Sequence, residues 1–285
     1  MSNNIHVEDA KLLAISHHEG DQFIMRLHAP VIAAQAKAGQ FVHIQVSPER
    51  AMRRPISIMF CDPEKGRLDI LIKKIGQGTA LLAKRQQGES LSLLGPIGKP
   101  FDLLDTSKRY ILIGGGVGIP PMLAVAQHLK ASARMVCFAG SEVPFPFKIR
   151  PSTVILPGIP STAMMGLDVL ENWKVPSRLA SQQEYFGCFN GFVTELADQY
   201  LSALGTTEDC VLLACGPEVM LHAVAKLGQK WQLPTQLSLE AHMACGIGGC
   251  AGCVVKTVEN GKEYYRRVCV DGPVFDAQVL AAYAG

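Results

Sequence analysis

An excess of charge of either sign is missing from this sequence. Its 27 Lys and Arg stand against 25 Asp and Glu, a net of +2 over 285 residues. That balance gives no sign of a nucleic-acid or polyanion binder. Long apolar runs are missing too. Residues 110–127 come nearest, but Gly and Pro interrupt them, so no segment reads as a bilayer span. No apolar leader is visible in Met1-Ser-Asn-Asn-Ile-His, which predicts a reducing, cytoplasmic location in which cysteines stay unpaired. Internal repeats and low-complexity tracts are absent as well. What remains is 48% apolar and 18% charged residues, enough for two medium domains and a small one.

The chain changes character twice, dividing as 1–104, 105–235 and 236–285. The first part reads as short strands. Phe23-Ile-Met-Arg-Leu-His, Phe41-Val-His-Ile-Gln-Val, Pro55-Ile-Ser-Ile-Met-Phe and Leu68-Asp-Ile-Leu-Ile-Lys alternate or run apolar, with turn residues between them. Such spacing predicts a small antiparallel barrel, with one short helix over 79–86. In the second part, Tyr110-Ile-Leu-Ile leads into Gly114-Gly-Gly-Val-Gly-Ile-Pro-Pro. A helix over 122–130, a strand over 134–139, the strand Val211-Leu-Leu-Ala and a helix over 218–227 follow. Alternating strands and helices predict a parallel sheet. Residues 143–160 are proline-rich and read as an irregular surface loop.

The third part carries Cys245, Cys250, Cys253 and Cys269, spaced C-x4-C-x2-C-x15-C. C-x4-C-x2-C is the opening spacing of plant-type [2Fe–2S] sites. The glycines between the cysteines permit tight turns and leave backbone N–H groups free to face sulfur. Zinc is the competing reading, although zinc sites prefer paired C-x2-C arms or Cys/His mixtures, and plain thiols are the third. His242 lies close by in sequence, but four cysteines already fill a site. The other five cysteines are scattered, and most read as small buried apolar residues.

Two more clusters suit phosphates. Gly114, Gly115 and Gly116 stand where a strand end meets a helix start, and Cys215-Gly216-Pro217 stands at the matching end of a later strand. Open α/β sheets bind ligands in that crevice. Arg54 offers a planar fork for phosphate, and Gly78 and Thr79 open a helix whose first amides suit a second one. Each cluster also has a plain structural reading, as a strand-to-helix turn or a solvated barrel rim.

Arg54-Pro-Ile-Ser, Gly78-Thr79, Gly95-Pro-Ile-Gly, the Gly114–Pro121 run, Cys215-Gly-Pro and the cysteines occur in the order found in the ferredoxin–NADP reductase superfamily. Within it the chain resembles the electron-transfer subunits of the two-subunit, NAD-dependent dihydroorotate dehydrogenases of pyrimidine biosynthesis. The resemblance covers nearly the whole chain. It implies FAD on an antiparallel barrel, NAD(H) on a parallel α/β domain, and a C-terminal [2Fe–2S] module. It also implies that Arg54, Pro55, Ile56 and Ser57 hold the flavin and its phosphates. Leu71, Ile72 and Lys73 would line the flavin, Gly78 and Thr79 would cap the pyrophosphate, and the four cysteines would ligate the cluster.

A nicotinamide delivers electrons in pairs and a [2Fe–2S] centre takes them singly, so a flavin belongs between them. The resemblance therefore implies an oxidoreductase subunit passing electrons between NADH and a catalytic flavoprotein, in a heterotetramer of two such pairs. The small subunit of another flavin complex, ferredoxin- or sulfide-linked, uses the same modules, and a zinc-bearing binding protein on a reductase fold is the reading from another class. No Ser/His/Asp set or catalytic carboxylate pair is evident. Glu142, following the strand over 134–139, suits a ribose 2′-OH and predicts NADH over NADPH. The loop around Gly246-Ile-Gly-Gly is the expected partner surface, because small residues admit another backbone. The chain departs from the family at 182–185 and at 143–160, which looks like an insertion.

Overall fold

A computed structural model describes residues 5–130 and 132–283. Met1–Asn4, part of the segment read for a leader, lie outside the described residues. The N-terminal part contains β1 (His6–His18), β2 (Gln22–His28), a short α1 (Pro30–Ala33), β3 (Phe41–Ile44), β4 (Arg54–Asp62), β5 (Arg67–Lys73), α2 (Gln77–Leu82) and β6 (Ser90–Ile97). The six strands close into an antiparallel barrel in the order β1-β2-β5-β4-β3-β6, so no sheet edge is left open. Alternation fixes the register. Met25, Leu27, Val42, Ile44, Ile70 and Ile72 fill the barrel. Asp69 is buried on β5, but Arg26 on the neighbouring strand donates to both its oxygens, from Nε at 3.0 Å and Nη2 at 2.9 Å. The short helix ends at Leu82 rather than at 86, where lysine, arginine and glutamines give it nothing to bury.

The second part adds β7 (Arg109–Gly115), α3 (Ile119–Leu129), β8 (Arg134–Gly140), β9 (Ile149–Pro151), β10 (Met165–Leu167), α4 (Asp168–Asn172), β11 (Ser177–Ser181), β12 (Phe189–Asn190), α5 (Val193–Ser202), β13 (Cys210–Cys215), α6 (Glu218–Trp231) and β14 (Thr235–Ser238). The third part adds β15 (Val254–Glu259), β16 (Lys262–Arg267) and β17 (Val274–Asp276). A seven-stranded sheet runs β12-β11-β8-β7-β13-β14-β17 and is parallel except for the β14–β17 pair. The chain winds outward from β7 in one direction and, from β13, in the other. The turns after β7 and β13 therefore meet at the point where strand order reverses, which is the ligand crevice of such sheets.

Three further details differ from the sequence expectations. Helix α3 starts at Ile119, with Pro120 and Pro121 inside its first turn, where a missing N–H costs nothing. Residues 143–160 are not wholly irregular. They contain β9, which pairs with β10, they bury Leu156, and Pro144 accepts a hydrogen bond from Gln22 of the barrel at 2.9 Å. The division at 235/236 cuts β14, and β17 from the last segment returns as the edge of the sheet.

Two apolar layers flank this sheet. One holds α5, α6 and the cysteine module, including Cys253, Val268 and Cys269. The other holds α3 and the outward side chains Met59 and Leu71 of the barrel. Gln127 of α3 makes a reciprocal pair with the Cys61 backbone of β4, at 2.9 and 3.0 Å, which pins the barrel to the sheet.

Candidate functional site

Arg54 begins β4 and Gly78 lies in α2, yet the two are in contact. Nη1 of Arg54 donates to the carbonyls of Met52 and Arg53, at 3.0 and 3.1 Å, which fixes the guanidinium. A Cβ at Gly78 would stand 2.8 Å from both Nε and Nη2, so only glycine lets the fork lie there. The Thr79 hydroxyl is committed. It accepts from the amides of Ile75 and Gly76 and donates to the Gly76 carbonyl, capping α2. The neighbouring Arg53 braces the barrel strands, donating to Ser92 and to the His43 carbonyl.

Arg54, Pro55, Ile56, Ser57, Leu71, Ile72, Lys73 and Thr79 line one side of a cleft of about 490 Å³. Cys215, Val117, Ser238, Leu239, Glu240, Ala241, His242 and Met243 line the other. The sequence signals from the barrel and from the β13 turn thus converge on one cavity between the two domains. A smaller hollow of about 300 Å³ beside Gly228 and Ala277 shares none of these residues and carries no charged side chain.

Gly114, Gly115, Gly116, Gly216 and Pro217 are not among the residues lining the cleft. Close packing explains these glycines except Gly116, which stands in open space with φ of +54°. A Cβ at Gly115 would stand 2.5 Å from Met220 Sδ, and one at Gly118 only 2.1 Å from the Cys215 carbonyl oxygen. The two turns touch backbone to backbone, and Val117 is the side chain this leaves facing the cavity. Cys215 is a neutral thiol, pushed up to about 12 by burial and further by the nearby Glu240. Glu240 has solvent access at the mouth, but the cleft walls surround its carboxyl and raise its pKa by desolvation. Sequence reading missed Val117, Glu240 and the place of His242 in the cleft wall. The stretch Glu240-Ala-His-Met directly before the first cysteine was the available signal.

That stretch leads straight into the cysteine loop. Cys253 and Cys269 are 4% and 2% exposed, with their sulfurs 3.3 Å apart. Cys250 is exposed and Cys245 half-buried. Among the described residues, no three His, Cys, Asp or Glu side chains already stand in metal-binding array. The donor set nevertheless fits a thiolate-bound centre. The Cys250 amide donates to Cys245 Sγ at 3.4 Å, the Gly252 amide to Cys250 Sγ at 3.4 Å and the Cys269 amide to Cys253 Sγ at 3.5 Å. Burial alone would raise the Cys245 thiol, but the backbone N–H groups of Ile247, Cys250 and Gly249 outweigh it and bring it down to about 6. Burial, and then Cys253 beside it, push Cys269 up to about 12. Backbone amides aimed at sulfur favour negative charge there, as an iron–sulfur site requires.

The loop turns two of its glycines inward. A Cβ at Gly246 would stand 2.7 Å from His43 Nδ1, and one at Gly248 2.6 Å from Val270 Cγ2. Ile247 is exposed and nothing surrounds Gly249. Within 246–249 only Ile247 and Gly249 are exposed, which narrows the expected partner surface there.

Residues 240–281 match the family model for the iron–sulfur cluster binding domain of dihydroorotate dehydrogenase B, and residues 10–101 that for the oxidoreductase FAD-binding domain. The structure of an NADH-dependent reduced ferredoxin–NADP oxidoreductase superposes with a TM-score of 0.76 at 23% identity, over 95% of this chain and 89% of that one. A ferredoxin NADP+ reductase from Neisseria gonorrhoeae, with bound FAD and NADP, superposes at 0.58 and 17% identity, over 81% and 92%. Barrel, crevice and cysteine loop together define a flavin- and iron–sulfur-dependent oxidoreductase on the ferredoxin reductase fold.

Similarity along the whole chain narrows this further. The dihydroorotate dehydrogenase B (NAD(+)) electron transfer subunit of Desulforamulus reducens is 30% identical over 94% of this chain and 96% of its own. That of Bacillus cereus is 34% identical over 87% and 88%. The chain belongs to this family of electron transfer subunits. Among the described residues no helix is long and apolar enough to cross a membrane.

Proposed function

We propose that this chain passes electrons between NADH and a dihydroorotate-oxidising flavoprotein, with FAD in the interdomain cleft and a [2Fe–2S] cluster on Cys245, Cys250, Cys253 and Cys269. The observation that carries this is chain continuity. Glu240 to Met243 form a wall of the cleft, and Cys245 follows two residues later, so one short segment serves both sites. FAD takes electrons in pairs and yields them singly, and the cluster carries single electrons.

The chain's own residues bind and shield. Arg54, held by two carbonyls, presents its remaining N–H groups to the pyrophosphate, and Gly78 leaves the room for it. Pro55, Ile56 and Ser57 on β4, and Leu71 to Lys73 on β5, bound the ring site and keep water from it. Thr79 contributes by shaping the turn, since its hydroxyl is already bonded. The nicotinamide side of the cleft falls to Val117, Cys215 and Glu240, and the turns at Gly114–Gly116 and Gly216–Pro217 bring these walls together. Glu142 is exposed just beyond the end of β8, level with the Gly115 turn, and its carboxylate suits a ribose 2′-OH while repelling a 2′-phosphate. We infer the cytoplasm as the site of action and a heterotetramer of two pairs as the assembly.

Anaerobic purification tests the reading directly. The protein should carry about one FAD, two irons and two sulfides per chain. It should reduce a dihydroorotate-oxidising partner faster with NADH than with NADPH. Stoichiometric zinc without iron refutes the cofactor reading, and a higher kcat/KM with NADPH refutes the role of Glu142.

A further inference from the structure

His43 sits on β3 with its ring fully buried, and neither ring nitrogen has a hydrogen-bond partner. Alternation explains how it came to be there. Val42 and Ile44 point into the barrel, so Phe41 and His43 point out of it. Phe41 lines the flavin cleft, but His43 does not. Its ring lies instead against the cysteine loop, where a Cβ at Gly246 would be 2.7 Å from Nδ1 and 3.0 Å from Cε1. Gly246 directly follows Cys245. Arg53 and Arg54, the charged groups that act on the ring, have no acceptor to offer it. In either protonation state an imidazole carries at least one N–H, and a buried N–H without an acceptor is rare in a folded protein.

We propose that His43 donates a ring N–H to the sulfur centre held by the Cys245 loop, and that this hydrogen bond sets the reduction potential of the bound cluster. The inference rests on the cluster assignment above. A hydrogen bond to a cluster sulfur stabilises the more negative, reduced form and so raises the potential. It also explains why position 246 is glycine, because any side chain would displace the ring.

The test uses anaerobically purified, partner-bound protein, with iron and sulfide measured first. His43→Leu should lower the equilibrium constant for one-electron reduction roughly tenfold, a fall of ~59 mV in an EPR-monitored redox titration. His43→Gln, which keeps an N–H, should recover part of the shift. Pulsed EPR of the reduced wild type carrying 15N-labelled histidine should show a weak ring-nitrogen coupling. That coupling should survive His242→Leu. The wild-type and His242→Leu measurements together decide the matter even if His43→Leu fails to fold, and a coupling lost in His242→Leu overturns the proposal. A cluster without any ring-nitrogen coupling, or with an unchanged potential in His43→Leu, overturns the proposal and leaves the cluster assignment standing. A protein with no iron overturns both.

Discussion

Two glycine-rich turns flank the cofactor sites, and they use glycine for different ends. At 114–118 the missing side chains let two strand ends approach, since a Cβ at Gly118 would overlap the Cys215 carbonyl. At 246–249 the backbone itself is what matters. Gly246 and Gly248 adopt φ of +69° and +83°, and the turns they make free amides to face sulfur. One turn is a packing joint and the other a cage. Composition alone does not separate them. The first has to fail by destabilising the fold, and the second by losing the centre it encloses.

The largest effect should come from the cage. Cys253→Ser removes a buried thiolate and should eliminate the cluster while FAD stays bound. Electron transfer to the partner should fall more than about 100-fold, beyond the 10–100-fold typical of losing an outer-shell contact, while NADH-to-dye activity stays within about twofold. Iron analysis and the two assays check this. Survival of partner transfer would mean that electrons bypass the cysteines. Arg54→Ala tests the same independence from the other side. Loss of a charge-assisted contact to phosphate costs about 1.5–3 kcal/mol, roughly a 10- to 150-fold weaker hold on FAD. Equilibrium dialysis should show it, with iron content unchanged. If FAD binding does not move, Arg54 only braces the turn at Gly78.

The packing joint gives a smaller and more general loss. Gly118→Ala should cost about 1–3 kcal/mol, as overpacking against rigid backbone does. Both cofactors should loosen together as the apparent Tm falls. Gly249→Ala, at an open position in the other turn, should leave Tm nearly unchanged. Equal effects at the two positions would erase the distinction drawn here.

The sequence carried the local half of this picture. Alternation marked the barrel strands, and strand–turn–helix order marked the parallel sheet. Cysteine spacing marked the cluster loop, because three ligands lie within nine residues of one another. What it could not carry were contacts between distant segments. Pro120 and Pro121 read as loop residues because a first-turn proline and a helix-ending proline look alike until the helix is seen. Thr79 read as a phosphate contact, although its hydroxyl closes its own turn. The return of β17 to pair with β14 leaves no periodic trace in three residues. His43 had a signal, the outward phase of Phe41-Val-His-Ile, but what faces it comes from residue 246.

The smallest effect should appear at the tip of the cage. Gly248 lies in the expected partner surface, but its φ is +83° and a Cβ there would meet Val270 at 2.6 Å. Gly248→Arg should therefore disturb the loop itself and reduce iron content, which makes it a poor probe of docking. Ile247 points the other way and is 56% exposed, a branched apolar side chain beside an exposed Cys250. If the acceptor docks over this tip, Ile247→Glu places an unpaired charge in a desolvated contact. Binding should weaken by about 1–2 kcal/mol, roughly 5- to 30-fold. Iron, FAD and dye reduction should remain at wild-type levels, because the side chain touches neither cofactor wall. Titrating the partner while following NADH-dependent turnover reads the change as a higher half-saturating concentration with the same plateau. An unchanged titration would move the docking face off the loop. The exposed side of the β15–β16 hairpin, with Tyr265 71% exposed, would then be the next surface to vary.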